Sequence, residues 1–286
     1  MPPDQRPPSA GRVSGWQPGT GPTLEEATRL LATRELTIEG RLPWSSNLTF
    51  LVSLEGTGGD AATGGDGGDA GTGGDGPVGA PGGPDGAPDP VQAVYKPHRG
   101  EQSLWDFPDG LYRREVAAYR LSEALGWGIV PPTVIRDDGP FGPGSLQLFI
   151  DSDYEQHYFT LLEEGGREDE LAVFCAFDVV ANNADRKSGH VLYGSDGRLW
   201  GIDHGLCFHV QHKLRTVIWD FASDEVPPGI VADLERLVSD GLPDGLAELL
   251  SGAEAEAVLE RASTLATTGW FPEPTGDRPP YPWPLV

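Results

Sequence analysis

Residues 57–90 read TGGDAATGGDGGDAGTGGDGPVGAPGGPDGAPDP, a run with almost nothing apolar in it. Such a stretch cannot bury enough surface to offset the entropy of ordering it, so a disordered insertion is expected there. Whatever folds must be built from the chain on either side. Residues 1–22, expected to be disordered, and the Pro-rich tail 271–286 are also poor core material. That leaves residues 23–150 and 151–270, enough for one sizeable domain or two small lobes sharing a cleft.

The formal net charge is −24, from 44 acidic against 20 basic residues. A chain this acidic is a poor general binder of nucleic acid, whose affinity depends on neutralising phosphates, and anionic membrane surfaces would repel it. A phosphorylated ligand would have to be held by the few cleft cations or by metal ions. The two cysteines, Cys175 in LAVFCAF and Cys207 in GLCFHV, fit buried free thiols of a reducing compartment, with a disulfide or redox pair as the alternative. No apolar run reaches membrane-span length and MPPDQRPPSAGRV has no hydrophobic leader core, so a cytoplasmic location is expected.

Local patterns divide the remainder into two halves. Thr23-Leu-Glu-Glu26 has the form of a capping box opening a helix to about residue 33. ELTIEGRL (35–42), NLTFLVSLE (47–55) and VQAVYKP (91–97) alternate as strands, and the insertion must then sit at a surface turn between the second and third. Residues 110–125 predict a helix ended by Gly126, and IVPPTVI with SLQLFI predicts a hairpin. After a hinge near 149–153 come an apolar helix (168–183), two short strands around Ser195-Asp196-Gly197, and three helical segments from residue 230.

Phosphoryl transfer needs phosphates held, metal ions placed and a carboxylate near the attacking hydroxyl. Asp203 follows an apolar strand and precedes His204-Gly205, where a carboxylate could project into a cleft and ligate Mg²⁺; a plain turn is the alternative. Asp185 lies in a polar loop with Asn182, Asn183, Arg186 and Lys187, which could equally be a solvated connection. Lys96 sits on a strand of Val, Ala and Tyr, either as a site residue or as an edge lysine facing water. Glu115 could pair with it from the next helix or serve other surface charges. Ser45, Ser46 and Asn47 offer hydroxyls and N–H groups on which a phosphate could rest. A strand Lys, a helix Glu, a loop Asp and a strand-end Asp occur in the order a kinase uses.

The stretch ADRKSGHVLYGSDGRLWGIDHG resembles the catalytic and metal-binding loops of the phosphatidylinositol 3- and 4-kinase family, closest to its small bacterial members. Those loops have the forms D-R-x-x-x-N and I-D-x-G, and the likeness extends loosely over residues 35–220. It implies an α+β, two-lobed protein-kinase-like fold with a β-rich N-lobe and a mainly helical C-lobe. It further implies Asp185 as the aspartate orienting the acceptor hydroxyl, Asp203 as a metal ligand, Lys96 on the phosphates of ATP, and Glu115 holding Lys96. Gln147, Leu148, Phe149 and Ile150 would be the hinge meeting the adenine. The cofactors implied are ATP and Mg²⁺ or Mn²⁺.

His190 stands where the family has Asn, five residues after Asp185. A neutral imidazole can ligate a divalent metal, whereas a protonated one cannot; an ordinary strand-start residue is the other reading. Past Asp203, the run FHVQHKLRTVIWDFA carries His209, His212, Lys213 and Arg215. It occupies the place where kinases face the acceptor, and its basic residues suggest an anionic substrate or a solvated loop. Zinc on His204, His209 and His212 would lack a Cys or acidic ligand at metal-binding spacing. The expected activity is transfer of the γ-phosphoryl group of ATP to a hydroxyl of a protein or small molecule. A lipid acceptor is disfavoured because no basic or amphipathic membrane-docking surface is evident. The alternatives are a pseudokinase or nucleotide-binding scaffold, and an AMP-transferring enzyme on a kinase fold.

Overall fold

The computed structural model describes residues 22–42, 47–54, 91–276 and 279–286. The expected disordered N-terminus, the serines of the 43–46 turn and the Gly/Asp-rich insertion fall almost wholly outside them. Helix α1 (Leu24–Thr33) opens on the capping box: Glu26 N donates to Thr23 Oγ1 at 3.2 Å, and Thr23 N donates to Glu26 Oε2 at 2.9 Å. Strands β1 (Leu36–Arg41), β2 (Phe50–Leu54) and β3 (Val91–Pro97) follow, then α2 (Leu111–Leu125), β4 (Thr133–Arg136) and β5 (Gly144–Leu148). All five strands join one antiparallel sheet in the order β1-β2-β3-β5-β4. Leu54 and Val91 are direct cross-strand partners, so the intervening chain leaves and rejoins the sheet at one point.

Alternation along β3 decides what each face does. Ala93 and Tyr95 are fully buried with Ala27 and Leu31 of α1. Lys96 takes the opposite direction, toward α2. That helix buries Ala117, Ala118, Leu121 and Leu125 in the large core of the second half and ends at Gly126, whose φ of +76° suits glycine.

The second half is mainly helical: α3 (Tyr158–Glu164), α4 (Glu168–Ala181), α5 (Pro228–Asp240), α6 (Asp244–Ala247) and α7 (Gly252–Thr268). A small sheet of β6 (Ser152–Asp153), β7 (Val191–Gly194) and β8 (Leu199–Gly201) sits between the halves. Its Trp200 packs into the core of the five-stranded sheet. The chain is thus α+β, with a β-rich first part and a helical second part. Helix α3 and strand β6 go beyond the sequence expectation. Cys175 and Cys207 are both free and buried. Among the described residues no helix is long and apolar enough to cross a membrane.

Candidate active site

Lys96, from β3, is the meeting point of the two halves. Its Nζ lies 2.5 Å from Glu115 Oε1 on α2 and 2.8 Å from Asp203 Oδ1, just beyond β8. Burial works against the ammonium, but Asp203 and Glu115 outweigh it and hold the lysine above its ordinary pKa. Glu115 is 4% exposed, and its second oxygen accepts the His204 N–H at 2.9 Å. One carboxylate therefore orients the lysine and pins the backbone directly after Asp203.

Asp203 adopts φ +62°, a conformation that costs a non-glycine residue energy, and its side chain stays half exposed. Lys96 beside it, with His190, keeps its carboxyl far below the usual carboxylate range against the effect of burial. Its Oδ2 stands 3.3 Å from His190 Nε2. His190 Nδ1 accepts from Lys187 N at 3.4 Å, a pattern that assigns the ring proton to Nε2. Burial pushes His190 down to about 4, so the imidazole is neutral at physiological pH.

The loop carrying Asp185 is zipped to residues 215–217. Arg215 N donates to Asn183 O, Arg186 N to Arg215 O, and Val217 N to Arg186 O, at 2.9, 3.0 and 3.1 Å. Asp185 Oδ2 lies 3.2 Å from Lys187 Nζ. Burial, then the Asp203 charge, raises the Asp185 pKa, with Lys187 and Arg215 opposing. Asp185 and Asp203 are thus close enough to sense each other.

Beneath both loops lies a fully buried pair, Arg186 and Asp178 of α4, at 3.0 Å. The guanidinium also donates to the carbonyls of His190 and Ile202 and to His204 Nε2, at 3.3, 3.1 and 2.8 Å. Asp178 accepts in addition from Asn183 Nδ2 and Thr216 Oγ1, both at 2.9 Å. Sequence reasoning missed Asp178. The available signal was one carboxylate in the middle of LAVFCAFDVVA, a helix otherwise apolar on all sides.

Several other expected site residues already have partners within the fold. Ser45 and Ser46 fall outside the described residues, and Asn47 Oδ1 accepts from Gln102 N at 3.1 Å. Gln147 is buried on β5 opposite Val94, with Nε2 on Thr133 Oγ1 at 2.9 Å. Leu148 and Ile150 turn into the sheet's core. Leu148 N and Phe149 N already donate to the carbonyls of Pro132 and Gln92, at 2.8 and 3.0 Å. The basic run after Asp203 is also less free than its composition suggests. Lys213 is buried and pairs with Asp106 at 2.7 Å, and the His209 ring packs edge-on against Phe107. Among the described residues the one three-residue cluster of metal-ligating type is His98, Glu101 and Asp109. There the Glu101 carboxylate already caps α2, accepting from the amides of Gly110, Leu111 and Tyr112.

No family model matches the chain. It is similar to Protein Rv2133c of Mycobacterium tuberculosis, with 38% identity over 292 residues, 89% of this chain and 94% of that protein. Similar solved structures include the Golgi casein kinase with Mn/ADP bound, at 12% identity and TM-score 0.48 over 85% of this chain and 74% of that one. The Helicobacter pylori proinflammatory kinase CtkA is similar at 10% identity and TM-score 0.45, over 84% of this chain and 94% of that one. Likeness of that order assigns no chemistry.

Proposed function

The chain belongs to the family of Protein Rv2133c, and from the chemistry of its cleft we propose that it is an ATP-dependent kinase of the atypical, phosphatidylinositol 3- and 4-kinase-like type. The observation that carries the reading is Lys96 held between Glu115 and Asp203, beside the Asp185 loop. A structural ion pair alone would not need a half-exposed carboxylate in a strained conformation at its open end.

The residues fit a divalent ion. Two ligands at right angles on an octahedral ion, each about 2.1 Å away, stand about 3.0 Å apart. Asp203 Oδ2 and neutral His190 Nε2 are 3.3 Å apart. With the ring proton moved from Nε2 to Nδ1, at the loss of the 3.4 Å bond from Lys187 N, these two would hold Mg²⁺ or Mn²⁺, and an imidazole in the set favours Mn²⁺, which lies nearer than Mg²⁺ to the metals imidazole suits. When bound, the ion supplies positive charge against the nucleotide's phosphate oxygens.

The remaining work falls to the chain. Glu115 aims the Lys96 ammonium, which binds phosphate of ATP while the Gln147–Ile150 segment, running beside β3, borders the adenine. Asp185 accepts a hydrogen bond from the acceptor hydroxyl and orients its oxygen toward the γ-phosphorus. The new O–P bond forms as the bond to the β-bridging oxygen breaks, ADP leaves with that electron pair, and the hydroxyl proton passes to Asp185. Its raised pKa suits that role.

The test is ADP release from ATP with Mn²⁺ or Mg²⁺ and a panel of hydroxyl acceptors, run beside equilibrium ATP binding. Asp185→Ala is expected to abolish turnover and keep binding. Wild-type protein that binds ATP with metal yet consumes it with no acceptor would make the chain a pseudokinase, a reading favoured by the committed amides of Leu148 and Phe149. AMP rather than phosphate on the acceptor, read by mass, would make it a nucleotidyl transferase.

A further inference from the structure

Segments 183–186 and 215–217 run parallel, with Arg186 bridged to Thr216. Arg186 and Thr216 both turn inward to the Asp178 carboxylate. Alternation then puts Asp185 and Arg215 together on the outer side. Lys187, two residues beyond Asp185, shares that side with its Nζ 3.2 Å from Asp185 Oδ2. Two cations thus face one carboxylate.

Arg215 is the arginine left over. Six arginines lie between residues 167 and 261. Five have acceptors: Arg167 with Glu170, Arg186 with Asp178, Arg198 with Gly128 O, Arg236 with Asp233 and Arg261 with Val180 O. Arg215 is half-buried, and its guanidinium donates to no acceptor among the described residues. The Asp185 and Asp106 carboxylates stand near enough to act on it electrostatically but accept no hydrogen bond from it, so its donors remain for a bound anion. Its planar fork matches the two oxygens of a carboxylate or phosphate.

The C-terminal segment is tied to both loops. Pro280 O accepts from Thr216 N at 3.1 Å and from Trp219 Nε1 at 3.0 Å, while Leu285 O accepts from Ser188 N at 2.8 Å. Residues 280–285 therefore run from beside Thr216 to beside Ser188.

We propose that Arg215, assisted by Lys187, binds an anionic group of the acceptor beside Asp185, so that the acceptor is a phosphate- or carboxylate-bearing hydroxyl compound. This assignment of substrate class rests on the kinase reading, while the anion subsite itself does not.

The experiment is isothermal titration of the full chain, saturated with ADP and Mg²⁺, using sn-glycerol 3-phosphate, with glycerol as the uncharged control. Binding of glycerol 3-phosphate and not glycerol is expected, weakened about tenfold to a hundredfold in Arg215→Ala. Arg215→Lys should regain part of it, and ADP affinity should not move. Equal affinity in wild type and Arg215→Ala overturns the proposal, as does the absence of anion binding in wild type that does bind ADP. If ADP fails to bind while glycerol 3-phosphate still binds through Arg215, the subsite stands and the kinase reading falls. A second arm measures co-sedimentation with phosphatidylcholine vesicles with and without phosphatidylinositol. Inositide-dependent sedimentation that Arg215→Ala removes supports the subsite and makes a lipid headgroup the source; inositide-dependent sedimentation that survives the substitution counts against it.

Discussion

Replacing Asp178 with Leu removes the carboxylate under both loops while keeping the volume apolar. Arg186, fully buried, then loses its counter-charge, and Asn183 Nδ2 and Thr216 Oγ1 lose their acceptor. Removing one partner of a buried pair costs about 3–5 kcal/mol, because the stranded charge must stay desolvated. For a chain of this size each kcal/mol moves the melting temperature by roughly 2–4 °C, so a fall on the order of 10 °C is expected in thermal unfolding. The half-buried Asp185–Lys187 pair, with about a quarter of each side chain in solvent, contributes less, about 1 kcal/mol. The double variant Asp178→Leu/Arg186→Met removes both charges and should recover much of the loss. A single-variant fall of less than about 2 °C, or a double variant no better than the single, would refute the idea that this pair holds the loops.

Three further outcomes follow from the same geometry. Glu115→Gln removes the charge that orients Lys96 and should weaken ATP binding about tenfold to a hundredfold by titration calorimetry; it should also lower the melting temperature, because both Glu115 oxygens accept and an amide keeps only one acceptor. His190, held down to about 4 against an ordinary 6.5, stays unprotonated in the folded chain where the unfolded chain takes up a proton. Stability should therefore fall as pH drops from 6.5 toward 5, with His190 contributing up to about 1.4 kcal/mol per pH unit beside the buried His204, and His190→Asn should reduce that slope in urea unfolding. With nucleotide present, His190→Asn should narrow the preference for Mn²⁺ over Mg²⁺, read as free Mn²⁺ by electron paramagnetic resonance.

Much of this was legible where the physics is local. The Thr23–Glu26 box, the Gly126 stop and the Val91/Ala93/Tyr95 alternation that aims Lys96 each depend on neighbours a few residues away. The Lys96–Glu115 pair was also within reach, because one strand and the next helix carry it. What escaped depends on distant partners. Lys213 looked like a free cation but is taken by Asp106, 107 positions earlier. The register of Asp185 against Arg215 is set by a parallel bridge between loops that no periodicity marks. Helix α3 escaped because YFTLLEE is short, and its burial rests on Tyr158 and Leu161, with the Tyr158 hydroxyl bonded to Asp220. The hinge that the resemblance implies at Gln147–Ile150 overlaps the strand expected over SLQLFI, and two of its amides are taken by Pro132 O and Gln92 O.

On the proposed function, Lys96, Asp203 and His190 form a metal-dependent nucleotide site. The most direct measurement is the melting temperature of wild type and Asp203→Asn, each titrated with ATP in the presence and absence of Mn²⁺. A rise with ATP and Mn²⁺ in wild type, absent without the metal and lost in Asp203→Asn, is the predicted result. No rise in wild type, or an equal rise in Asp203→Asn, would contradict it.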